Sequence, residues 1–433
     1  MFPRTGLWRH ADFMRLWAAQ TFSAYGSRIT RTALPIIAVS TLNQPEAIVS
    51  LLMALQLAPG IFVGLSSGGF IDRSRKRRIL IAADLVRAIV VGSLTLAWFL
   101  GVLSMAHVIV VGALVGGASA LFQITDVAYL PTLVRRDQLA EGNSKLESTE
   151  AIAEITGPAS AGALIAALGA PLVVLIDAAS YLWSALMLGR IRAVEDAPTP
   201  AQSASMSSTR PGHDLRVGLR AIFRHPIVRP IVISHMVWSI SGGFFMALYT
   251  LFCLRELGLS ETVFGIIVSM GGIGSLGGAI VSRRLVTSIG LGRALLLTST
   301  LSLTCALLIP LAASPATGGS YLVVLLFLGA HQVLSDGFSV AFVIQAVTLR
   351  QTVLPKHVLG RANAAIHVFT SGLLPIGAIL AGVIAELAGT YVAVWVGVLI
   401  GLAAPVFLLP LRSLREMPAG PSDHATADAR TAA

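Results

Sequence analysis

Charge is what this sequence has least of. Asp, Glu, Lys and Arg make up 12% of its 433 residues, against about 25% in a soluble domain. Mean hydropathy is +0.80. A water-soluble fold is excluded, and the chain reads as an all-α integral membrane protein. Cysteine is scarce as well. Cys253 and Cys305 both lie inside apolar runs, so neither a disulfide framework nor a thiolate metal site is expected. The sequence has no phosphate-binding loop, no H-E-x-x-H helix and no other metal-ligand spacing. It therefore gives no support to an ATP-driven pump, an enzyme or a resident cofactor. Gly64-Leu65-Ser66-Ser67-Gly68 matches the G-x-S-x-G hydrolase pattern, but it lies within an apolar helix and not at a strand-to-helix elbow. No cleavable signal peptide is expected, because Arg4, Arg9 and Asp12 precede an interrupted first span with no small-residue cleavage site.

What is abundant is apolar sequence in lengths that cross a bilayer, for which ~20 residues are needed. Twelve helical spans are predicted, at roughly 13–40, 46–70, 79–103, 106–133, 142–168, 170–190, 228–254, 262–286, 291–312, 320–349, 361–387 and 389–411. Their connections alternate in charge. One set holds Arg4 and Arg9, Arg73 to Arg78, Arg135 and Arg136, Arg190 to Arg224, Arg283 and Arg284, Arg350 and Lys356, and Arg412 and Arg415. In the other set the cation is Arg255. Cations stay on the side where the chain is made, so both termini are expected in the cytoplasm. The net charge of +10 is then an anchoring pattern. Nucleic acid is not an expected partner, since the cations sit in loops between spans and not on one soluble face.

Residues 193–226 form the one long internal connection. Ala197–Gly212 has the small, polar composition of a flexible linker. After it, Leu215, Leu219, Ile222 and Phe223 make an apolar stripe, with Arg216, Arg220 and Arg224 on another face. That pattern predicts an interfacial helix on the inner leaflet. Residues 413–433 read as a disordered tail. The linker divides an internal repeat. Leu139, Asn143, Gly157, Gly162 and Gly169 recur 220 residues later as Leu359, Asn363, Gly377, Gly382 and Gly389. Gly64, Gly68 and Arg73 recur 210 residues later as Gly274, Gly278 and Arg283. Two pseudo-symmetric six-helix bundles are therefore expected, at 1–192 and 227–412, with a substrate site between them and access that alternates by rocking.

Ionisable residues within spans are costly and are functional candidates by default. Arg28 and Arg31 lie near the middle of span 1. Glu147, Glu150 and Glu154 share a stripe of span 5, and Asp126, Asp177 and Asp336 lie in spans 4, 6 and 10. Two readings stand side by side. Arg28 and Arg31 form a buried ion-pair network with Glu150 and Glu154, or one carboxylate lacks a permanent partner. Such a group would load and release a proton as its exposure changes. Asp336, Glu154, Glu150 and Asp126 are the proton-coupling candidates. Gly64-x-x-x-Gly68 and Gly274-x-x-x-Gly278 permit close helix packing, either within the halves or at a sliding interface between them. Pro158 and Pro375 predict kinks at similar depth in spans 5 and 11. Trp238, Phe244, Phe245, Tyr249, Phe338 and Phe342 are candidate apolar cavity contacts, with ordinary packing as the alternative.

These residues resemble the major facilitator superfamily over nearly the whole chain. Gly68-x-x-x-Asp72-Arg73-x-x-Lys76-Arg77 is similar to its hallmark loop between spans 2 and 3, with Arg75 where the motif usually has glycine. Its second-half counterpart keeps Gly278 and Arg283 but has Ser282 in place of the acid. Gly157-Pro158-x-x-Ala161-Gly162 resembles the antiporter motif of its drug exporters, with alanine at 153 and 161 where glycine is frequent. Tyr129-Leu130-Pro131, Asn143 to Glu147, Leu349-Arg350-Gln351, Leu359 to Asn363 and Pro375 to Ala378 resemble a twelve-span bacterial drug and macrolide exporter subgroup that includes siderophore exporters. His367 stands where such relatives often carry arginine.

The resemblance implies proton-coupled export of small amphipathic or hydrophobic molecules across a bacterial inner membrane, by a monomer embedded in the lipid bilayer. Siderophore export, lipid or lysolipid flipping, and a non-transporting receptor on the same fold are the alternatives. It also implies a gate latch. Asp72 would dock at the N-terminal end of span 11 near Gly360, and Arg73 or Arg77 would pair with an acid such as Asp126.

Overall fold

The computed structural model describes residues 6–67, 70–71, 74–135, 138–193, 211–314 and 320–414. Gly68, Asp72 and Arg73 of the hallmark loop, the linker before Pro211 and the tail from residue 415 lie outside the described residues. All regular structure among the described residues is helical. Eleven helices are long and apolar enough to cross a membrane by composition. The twelfth, Ala11–Ile36, has 26 residues. At about 1.5 Å per residue it reaches some 39 Å, enough to span. It falls short on hydropathy because Gln20, Arg28, Arg31 and several Ser and Thr interrupt it. The fold is thus twelve spans.

Span 1 is Ala11–Ile36, prolonged by a π turn at Ile37–Thr41. Spans 2 to 6 are Glu46–Ser66, Lys76–Phe99, Met105–Leu133, Leu139–Leu168 and Ala170–Gly189. Span 7 is Val228–Leu251, prolonged by a second π turn at Phe252–Glu256, and span 8 is Glu261–Ile289. Span 9 is broken into Leu291–Cys305 and Leu308–Ala312. Spans 10 and 11 are Tyr321–Val353 and Lys356–Ala388. Span 12 is Thr390–Leu402, continued as a 3-10 helix, Ala404–Leu411.

Spans 3 and 11 begin earlier than expected, at Lys76 and Lys356. Hydropathy stops at a charge, but helical hydrogen bonding continues past it. Spans 5 and 11 run through Pro158 and Pro375 as continuous helices. Gly169 and Gly389 end them at φ +83° and +90°, a backbone conformation that glycine adopts without steric cost.

Helix packing follows the repeat. In the first half, span 1 packs on 5 and 6, span 2 on 4, and span 3 on 4 and 6. Six spans on, 7 packs on 11 and 12, 8 on 10, and 9 on 10 and 12. The bundles meet where span 5 crosses span 8 and where span 2 crosses span 11, and the repeat exchanges these two contacts. The GxxxG faces of span 8 do not slide between halves. A side-chain carbon at Gly274 or Gly278 would strike the carbonyls of Val333 or Gly337, in span 10 of the same bundle.

The side with the basic loops is called here the basic side, and the opposite one the far side. On the far half a single hydrophobic core runs through both bundles, from Ile29, Leu52 and Val173 to Leu248, Leu328 and Ala381. On the basic half it divides. One cluster, around Phe13, Leu80, Tyr129 and Leu188, belongs to the first bundle, and another, around Ile231, Leu295, Leu349 and Ile366, to the second.

The linker helix is Pro211–Arg224. Part of the stripe expected on lipid packs on protein instead. Ile222 is buried in the second bundle's core and Leu219 packs against it. Gly218 sits on the Arg361 carbonyl and Ala365 of span 11. Arg216, Arg220 and Arg224 face outward. Leu219 and Ile222 are thus covered by protein, while Phe223 stays 39% exposed.

Candidate functional site

A polar cavity lies in the first bundle. It has a volume of about 300 Å³ and is walled by spans 1, 3, 4 and 5. Gln20, Ser27, Arg28 and Arg31 come from span 1, Arg87 from span 3, Asp126 from span 4, and Asn143, Glu147 and Glu150 from span 5. Span 1 has a polar stripe at helical spacing, and its packing between spans 5 and 6 turns that stripe inward.

Arg28 is the hub. Its guanidinium donates to Glu150 and pairs with Glu154 as well. The arginine side chain is 11% exposed and the two glutamates about half exposed, at 48% and 50%. These charges sit deep in the molecule yet face open space, so water supplies part of their solvation. Gly157 makes the approach possible, since a side-chain carbon there would lie 2.5 Å from Cβ of Arg28. Arg31 is exposed to the same space and within electrostatic reach of Arg28, Glu154 and Glu150. Of the four proton-coupling candidates, Glu150 and Glu154 therefore have a cation. Asp126 accepts a hydrogen bond from Gln20 Nε2.

Asp336 differs. It projects from span 10 toward Gly271 of span 8, where an added side-chain carbon would meet its carboxylate. Glu154 of the other bundle is within electrostatic reach. Among the described residues no cation lies within salt-bridge distance of Asp336. His331 does not serve it, because its Nδ1 is 3.1 Å from the Cys305 carbonyl. Among the described residues no cluster of His, Cys, Asp and Glu could hold a metal ion.

The hallmark loop is described only in part. Arg77 does not reach Asp126. It donates to the carbonyls of Gly189, at 3.0 Å, and Ile191, at 2.6 Å, at the end of span 6. The last carbonyls of a helix lack intrahelical partners and carry partial negative charge. Arg77 thus ties span 3 to span 6 within one bundle, and Asp126 is not its acid.

The second glycine of the span 5 motif sits at the bundle interface. A side-chain carbon at Gly162 would strike the Glu261 carbonyl of span 8, and one at Gly265 would strike the Pro158 carbonyl. Its repeat partner Gly382 packs on Ala47 and Ser50 of span 2. Gly162 and Gly382 thus occupy the two exchangeable crossings. Beside them, Ala159 N donates to Ser269 Oγ at 2.8 Å and Thr262 Oγ1 to the Gly162 carbonyl at 3.4 Å. Arg255 closes the far end. It donates to the Val39 carbonyl at 3.1 Å and to Asn43 Oδ1 at 3.0 Å, and lies 3.6 Å from Glu46. Both π turns flank this contact. Val39 lies in the first of them and Arg255 in the second.

One polar group went unread in the sequence. Asp84 and Arg87 of span 3 form an ion pair, 0% and 4% exposed. The Arg87 guanidinium is sandwiched between Phe122 and Tyr181 at 4.4 and 4.3 Å. Asp177, also fully buried, feels the same cation and accepts from Ser180 Oγ at 3.1 Å. Opposite charges three residues apart within an apolar run were the available signal. Among the aromatic candidates, Phe245 stacks on Tyr249 at 4.3 Å and faces His331 at 5.4 Å. Phe244 and Phe342 are core residues.

The family model described as transmembrane secretion effector matches residues 6–430. The multidrug efflux pump Tap of Mycolicibacterium fortuitum is 27% identical over 420 residues, covering 92% of this chain and 96% of Tap. A bacterial homologue of the iron transporter ferroportin in its inward-facing state superposes with a TM-score of 0.72 at 20% identity, over 94% of this chain and 100% of that one. The outward-facing state of such a homologue gives 0.58 at 20% identity, over 93% and 99%. The chain belongs to the transmembrane secretion effector family and is a membrane transporter of the major facilitator superfamily.

Proposed function

We propose that the protein exports small amphipathic or hydrophobic molecules across a bacterial inner membrane by alternating access, driven by proton entry. The observation that carries this is the hydrophobic core, joined across both bundles on the far half and divided on the basic half, together with a polar cavity lined by spans 1, 3, 4 and 5 of the first bundle. That is the arrangement of a transporter open to one side only. The charge alternation of the loops makes the open side cytoplasmic, so the resting cavity loads from the cell interior. Export as the direction is supported by the likeness to a multidrug efflux pump and by the Gly157-Pro158 motif of span 5.

Coupling rests on Asp336 and Glu154, which belong to opposite bundles and lie within electrostatic reach of each other. Glu154 is held by Arg28, whereas half-buried Asp336 has no cation within salt-bridge distance among the described residues. Rocking the bundles changes how far Asp336 is shielded and how near it stands to Arg28. A proton taken up from the far side would be released when the cavity opens to the cytoplasm. The test is efflux of fluorescent dyes and antibiotics from proteoliposomes with and without a pH gradient. Asp336→Asn is expected to abolish gradient-driven efflux while leaving downhill exchange, and Glu154→Gln to reduce it. Gradient-driven efflux unchanged in both variants would overturn the coupling assignment.

A further inference from the structure

Arg75 is the residue at which the hallmark loop departs from its family pattern, and neither the cavity nor the bundle interface uses it. Lys76 and Arg77, its neighbours, have partners within the protein. The side chains of Arg75 and Arg78 are exposed, with no hydrogen bond or ion pair among the described residues. Both stand at the N-terminal end of span 3, whose first turn carries no acid. That end already holds the positive pole of the helix, so added cations there cost stability. Among the described residues no anion pairs with them.

The two cations rim a groove of about 920 Å³ between spans 2, 3 and 4, within the ~300–1,000 Å³ range of ligand pockets. Ser74 joins them at the mouth, and the rest is apolar, including Phe70, Val86, Leu114 and Leu121. Phe70, Val86 and Leu114 are 58%, 44% and 48% exposed. The groove opens outward toward lipid and not into the central cavity. Its contents must therefore be apolar along the membrane depth and anionic at the basic face.

We propose that this groove is a binding site for an anionic diacyl phospholipid from the leaflet on the basic side. The phosphate sits between Arg75 and Arg78 and an acyl chain lies along spans 3 and 4. The charge complementarity selects an anionic head, and the apolar depth selects a membrane lipid over a soluble phosphate. Each basic residue near an anionic headgroup contributes about a fivefold factor in binding.

The test uses the full-length protein in nanodiscs of mixed phosphatidylglycerol and phosphatidylcholine, with retained lipids counted by native mass spectrometry. The wild type is expected to retain phosphatidylglycerol selectively. Arg75→Gln and Arg78→Gln should each lower that retention about fivefold and the double variant about 25-fold, while Arg283→Gln in the second-half loop leaves it unchanged. Ala118→Phe, which fills the groove with both arginines intact, should abolish it. Equal retention of the two lipids by the wild type overturns the proposal. So does undiminished retention in the double variant or in Ala118→Phe. Displacement of the lipid by excess glycerol 3-phosphate would make a soluble phosphate the ligand and overturn the lipid assignment.

Discussion

Replacing Arg87 with Met tests the buried polar group of the first bundle. Methionine keeps much of the aliphatic volume between Phe122 and Tyr181, so the change is mainly electrostatic. Asp84 would lose its ion pair at a site with no solvent exposure. Removing one member of such a pair costs about 3–5 kcal/mol. Asp177 would lose the same cation, which places the cost near the upper end, about 5 kcal/mol. A domain of this size loses roughly 2–4 °C of melting temperature per kcal/mol, so the shift should be about 10–20 °C. Thermal unfolding in detergent can be followed with a thiol-reactive fluorophore, because Cys253 is buried in the core shared by the two bundles. Asp84→Leu combined with Arg87→Met should recover at least half of the loss, since only Asp177 is then left without its cation. A shift below about 3 °C in Arg87→Met, or a double variant no more stable than the single one, would refute the reasoning.

Three further outcomes concern the gates. Gly162→Leu must displace the Glu261 carbonyl, and overpacking of about 1–3 kcal/mol should shift the balance toward the far-side-open state by about 5- to 150-fold. Labelling of a cysteine introduced at Thr262 measures this, and unchanged labelling would remove the crossing from the gate. Arg255→Ala breaks a partly exposed contact worth at most about 1 kcal/mol, so far-side labelling should rise no more than about fivefold, with the difference from wild type shrinking in 1 M salt. Asp72→Asn and Arg73→Ala are each expected to abolish transport while membrane insertion stays normal. An unchanged balance of labelling between the two sides in those variants would sink the latch.

Much of the architecture was legible because its signals are local. Apolar length marks eleven spans directly, and the first, with Arg28 and Arg31, could be added from its place in the repeat. The pairing of Gly162 with Gly382 was readable as an offset, and the structure gives that offset a meaning, since each glycine sits at one of two equivalent crossings. The linker helix was readable as amphipathic, but not that Leu219 and Ile222 would pack into the second bundle. Arg77 was readable as a cation beside an acid. That its partners are backbone carbonyls at the end of span 6 depended on a contact more than a hundred positions away in the chain.

The number of spans, their alternation across the membrane and the two-fold repeat are local properties of the chain, because burial in lipid acts on each segment separately and glycine acts on the backbone at its own position. The tertiary structure alone decided which charges meet. Arg28 could have faced lipid, Asp336 or span 6, and the rotation of span 1 against Gly157 turns it onto Glu150 and Glu154. The same packing hides Asp84, Arg87 and Asp177 in one bundle and, among the described residues, leaves Asp336 with no cation within salt-bridge distance in the other. Partner choice within the membrane is a matter of helix rotation, and that is set by the shapes of all the neighbours together.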